Sequence, residues 1–91
     1  MNSIRINVLS RALELLPVMA RRVGRVRLTM IDECFAFIDG NLTFVLLNGI
    51  YTGWAKLNPI DGEGDLDVGI NIALSRALRK FLAGVEVDEV L

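Results

Sequence analysis

The chain has 91 residues, 53% of them apolar, with a mean hydropathy of +0.47 and a formal net charge of −1. That length is expected to form one domain and not two. A domain this small cannot hide so much apolar surface, so the composition predicts an exposed apolar patch or a second copy that covers it, and hence a homo-oligomer.

Histidine is absent. This removes the usual neutral-pH base, the commonest metal ligand and every Ser-His or Cys-His dyad. Cys34 is the single cysteine and lies in an apolar run. It has no disulfide partner within the chain and reads as a buried, inert thiol, which places the protein in a reducing cytoplasm. No apolar run approaches the ~20 residues that a bilayer-spanning helix needs. Polar residues also interrupt every candidate signal core near Met1. Neither an enzyme nor a bound cofactor is expected, and no membrane partner.

In chain order, Ile4, Ile6 and Val8 alternate and admit an extended start. Val8 to Val23 then repeats apolar residues at helical spacing (Leu9, Ala12, Leu13, Leu16, Met19, Ala20) and predicts an amphipathic helix, with Gly24 as its cap. Pro17 predicts a kink or a restart, because it cannot donate to the helical ladder. Val26, Leu28 and Met30 alternate with Arg25, Arg27 and Thr29 as a half-buried strand should. Cys34 to Ile38, Leu42 to Leu47 and Ile50 to Leu57 are further apolar runs. Asp39-Gly40-Asn41 and Asn48-Gly49 separate them, and both are turn sequences that tolerate positive φ. Three or four antiparallel strands follow, according to whether Asp32-Glu33 is a turn or a bulge.

Asn58 to Gly64 reads as a loop, and Asp65 or Asp67 as the cap of a last helix. Val68, Ile72, Ala73, Ala77, Phe81 and Leu82 form the apolar face expected of that helix, and Gly84 its end. Arg76, Arg79 and Lys80 fall in its second half, where the helix dipole favours cations. Residues 1–84 are thus one α+β domain, a two-layer sandwich ordered helix, antiparallel meander of three or four strands, helix, with residues 85–91 an acidic and apolar tail. The outer face of such a sheet must meet water or a partner.

Gly53-x-Ala55-x-x-x-Pro59-x-Asp61, followed by Gly69-x-x-Ile72-Ala73-x-x-Arg76-Ala77-Leu78, resembles a group of small phage and bacterial proteins with the fold of a double-stranded-RNA-binding domain. The resemblance covers about a third of the chain and implies the same element order. Double-stranded-RNA binders meet phosphates with a lysine-rich start to the last helix. The matching stretch here is Asp65-Leu66-Asp67-Val68-Gly69, preceded by Asp61 and Glu63. Those carboxylates repel phosphate, so RNA binding through that face is not expected.

Charge is unevenly spread. Residues 1–27 hold six arginines against Glu14 alone, a net +5, while the remainder holds four basic and ten acidic residues, a net −6. Arg21, Arg22, Arg25 and Arg27 form a candidate basic edge for an acidic partner. Trp54 is the aromatic residue expected to serve as an interface anchor, whereas Tyr51 and the phenylalanines read as core. The acidic run Asp61, Glu63, Asp65, Asp67 offers oxygen ligands to a cation, but its spacing suits helix capping, and no metal is expected. The reading is a non-catalytic phage or mobile-element accessory protein that binds a host or phage protein, inhibiting a host defence system. The alternatives are a nucleic-acid-binding domain and an oligomer that holds a small ligand between subunits.

Overall fold

The computed structural model describes residues 4–23, 31–56 and 66–90, with side chains described for 4–21, 31–56 and 66–83. Its elements are β1 (Ile4–Asn7), α1 (Leu9–Val23), β2 (Cys34–Asp39), β3 (Leu42–Leu47), β4 (Tyr51–Lys56) and α2 (Leu66–Val90). The expected α+β order of helix, antiparallel meander and helix is present, with the extended start realised as a strand of its own. The four strands form one sheet in the order β1-β2-β3-β4, antiparallel throughout. The strand expected over Val26 to Met30, the Gly24 cap and the loop from Asn58 to Gly64 lie outside the described residues.

Local chemistry accounts for the joints. The Leu9 N–H donates to Asn7 Oδ1 at 2.9 Å, so an asparagine caps α1 directly after β1. Pro17 sits inside α1 without ending it. It is on the exposed side, where water can satisfy the carbonyl that proline leaves without a donor. Between β3 and β4, Asn48 and Gly49 both take positive φ (53° and 70°), and the Ile50 N–H donates to the Leu47 carbonyl at 3.1 Å. This is the I′ geometry that Asn-Gly favours. Between β2 and β3 only Gly40 has positive φ (63°), as a II′ turn requires.

Alternation sorts the sheet into two faces. Cys34, Ala36, Ile38, Val45, Leu47 and Ala55 are buried against the helices, with Thr43 among them. The core takes Val8 from the joint between β1 and α1, Ala12, Met19 and Ala20 from α1, and Ile70, Ala73, Leu74, Ala77, Leu78, Phe81 and Leu82 from α2. That α2 stripe corrects the expected one. Val68 and Ile72 face out, at 45% and 38% exposed, and Leu13 of α1 does the same. The outward line through Val68 and Ile72 gives way to Ser75, Arg76 and Arg79, whereas the buried line stays apolar from Ile70 to Leu82. The line carrying Ala73 and Ala77 is buried because those small side chains let the helix lie against Gly53 of β4. The helix also does not stop at Gly84 but continues to Val90. A glycine inside a helix costs only about 1 kcal/mol.

Candidate functional site

The face of the sheet turned away from the helices carries a continuous row of large side chains. The strand registers align Arg5 with Phe37, Phe37 with Phe44, and Phe44 with Trp54. Phe37 and Phe44 have ring centroids 6.0 Å apart, and Phe44 and Trp54 4.6 Å apart, both pairs tilted. The neighbouring row runs Asn7, Phe35, Leu46, Thr52. Arg5 ties the two rows together, its guanidinium carbon 5.1 Å from the Phe35 ring centroid, within cation–π range. Phe35, Phe37 and Phe44 are half-buried, and Trp54 at the β4 edge is 49% exposed. Aromatic residues and arginine are the side chains enriched in protein interfaces.

Three of the four phenylalanines therefore lie outside the core; only Phe81 is in it. Composition alone assigned all four inward. The signal that separates them is the alternation itself. Cys34, Ala36 and Ile38 occupy one parity of β2 and Phe35 and Phe37 the other, and the smaller set fits beneath the closely packed helices.

At its free edge β4 meets α2. Arg76 reaches round the edge, and its Nη1 donates to the Trp54 carbonyl at 2.5 Å. Lys80 Nζ donates to Thr52 Oγ1 at 3.3 Å. With Gly53 and Arg79 these residues line a shallow cavity of about 300 Å³. The pattern from Gly53 to Leu78 thus describes a seam. Gly53 meets Ala73 and Ala77 backbone to backbone, and Arg76 locks the strand to the helix. Small residues and a strut at these spacings explain the pattern as packing.

The sequence-derived basic edge is only partly described. Arg21 is exposed on α1, in the helical layer, while Trp54 belongs to the opposite face of the sheet at the far strand, so these two are not neighbours. Arg22 is described by its backbone alone, and Arg25 and Arg27 lie outside the described residues. Of the acidic run only Asp67 is described, exposed in the first turn of α2 and paired with Arg11 at 3.2 Å. Among the described residues no group of three or more His, Cys, Asp or Glu gathers as a metal site would require. Cys34 is fully buried, and desolvation pushes its thiol up to about 11, which keeps it protonated and unreactive near neutral pH. No described helix is long and apolar enough to cross a membrane. Searches against family models, curated proteins and solved structures return no match.

Proposed function

We propose that the chain is a non-catalytic accessory protein that works by covering a surface of another protein with its open sheet face. This is the mode by which a small phage or mobile-element protein blocks a host defence system. The observation that supports it is the aligned row of Arg5, Phe37, Phe44 and Trp54, a set of interface-type side chains left uncovered by both helices. The absence of histidine and the protonated, buried thiol leave no Ser-His or Cys-His pair.

The test is capture from a host lysate by immobilised protein, compared with Trp54→Ala. An anchor at an interface is worth about 2 kcal/mol or more, that is, more than tenfold in affinity. The variant should lose its captured partner while keeping its melting curve, since half of the Trp54 surface is already in water. If Trp54→Ala and Arg5→Glu both retain the same partner at the same yield, the face is not the docking surface.

A further inference from the structure

We infer that the cavity at the β4 edge binds single-stranded nucleic acid, with a base stacked on Trp54 and its phosphate held by Arg79 and Lys80. The site is separate from the proposed protein-docking face except for Trp54, and Arg79 lies off that face, so the two readings can fail independently.

The first ground is charge. Arg76, Arg79 and Lys80 lie at i, i+3 and i+4 and so share one side of α2, and all three are exposed around the same cavity. No carboxylate is among the described residues that line it. Like charges at these spacings oppose helix formation. The helix dipole would compensate them at a C-terminal turn, but its effect fades beyond that turn. Because α2 runs on to Val90, the three cations sit in its middle, and its last turn contains no basic residue. An anion is the natural counterweight.

The second ground is the division of labour among the cations. Arg76 is occupied as a strut to the Trp54 carbonyl. Lys80 spends one donor on Thr52 and has others to offer. Arg79 has no hydrogen-bond or ion-pair partner among the described residues, and its fork presents paired donors that suit phosphate oxygens.

The third ground is the aromatic residue that shares the cavity's lining with them. Trp54 lines the same cavity and is half-exposed at the end of the sheet. A planar ring and an anion side by side are what one nucleotide unit offers, and stacking with backbone charge contacts is how single strands are held. A duplex keeps its base faces inside the stack and has none for the indole. Asp67, the described member of the acidic run, lies in the first turn of α2, at the other end of the seam. β4 and α2 run in opposite directions, with Tyr51 against Phe81 and Gly53 against Ala73 and Ala77. Arg79 and Lys80 therefore lie near the Asn48-Gly49 turn, several helical turns from Leu66.

Trp54 is the single tryptophan, so its fluorescence reports the event directly. The probe is an oligothymidylate of about ten nucleotides, within the range of single-strand site sizes, titrated at about 0.05 M and about 0.2 M salt. Saturable quenching that weakens with salt is expected. Arg79→Glu and Lys80→Glu should each reduce affinity at least tenfold with unchanged melting curves, and Arg79→Lys should recover part of the loss. With a labelled oligomer and anisotropy, Trp54→Leu should also lose at least tenfold. The inference is overturned by any of four results: no quenching at the lower salt; equal binding of a duplex of the same length; equal binding of polyglutamate, which would mark the cavity as a seat for an acidic protein segment; or thymidine monophosphate binding as tightly as the oligomer.

Discussion

Gly53 and Ala73 touch through their backbones: a Cβ built on Gly53 would lie 1.9 Å from the Ala73 carbonyl oxygen and 2.7 Å from the Ala77 nitrogen. No side chain can yield there, because the obstacle is main chain on a buried helix. Gly53→Ala must therefore push α2 off β4 and open the seam between the last helix and the sheet. Overpacking of this kind costs about 1–3 kcal/mol or more. In a domain of this size each kcal/mol lowers the melting temperature by about 4–8 °C. Gly40→Ala, with nothing within 4 Å of its Cβ, meets only the strain of its positive φ and should cost less. Calorimetry on both variants checks the ranking, and equal losses would show that the close approach is not what makes Gly53 necessary.

Asn48 does two jobs that substitution can separate. Its backbone supplies a left-handed turn residue, and its side-chain oxygen accepts the N–H groups of Asp32 at 2.7 Å and Glu33 at 3.1 Å. Asn48→Gly keeps the backbone conformation and removes the acceptor, which should cost about 1–2 kcal/mol for the two stranded donors. Asn48→Ala removes the acceptor and adds steric strain at positive φ, so it should cost about 1 kcal/mol more. Urea denaturation resolves the difference. If glycine proves as stable as asparagine, the clamp on residues 32–33 contributes nothing.

Cys34 should resist alkylation in the native protein at pH 8 and react at once in denaturant. The sign of its pH effect follows from the raised pKa. The unfolded thiol loses its proton near 9.0 and the folded one near 11. Between those values the folded state holds more protons, so stability falls as pH rises through that window and is unaffected below it. Cys34→Ala should abolish this part of the alkaline loss. If the loss is identical in the variant, some other group causes it.

Self-association is expected through the helical layer, where Val68 and Ile72 form an exposed apolar pair one turn apart on α2. Light scattering should give a mass above 10.1 kDa at micromolar concentration, and Ile72→Lys should shift it toward the monomer without lowering the melting temperature. A monomer at every concentration would leave that stripe as ordinary surface.

The sequence by itself determined what is local. Asn48-Gly49 and Gly40 fix their turns because few residues tolerate positive φ. The alternation in residues 34–38 and 42–47 makes strands, and the 3.6-residue spacing of Ile70 through Leu82 makes a helix. What is non-local was left to the tertiary structure. Ile4 to Asn7 is a strand because β2 lies beside it, offering partners from Phe35 to Ile38. Alternation has two equivalent faces, so only the seating of α2 against Gly53 decides that Cys34 and Ala36 go in and that Phe35, Phe37 and Phe44 stay out. That same seating turns Val68 and Ile72 to water and brings Arg76, Arg79 and Lys80 round the edge to Trp54. The spacing of these three cations is legible from the chain, but Trp54, whose carbonyl Arg76 meets and whose edge all three share, is 22 or more residues away, and only close backbone packing brings them together.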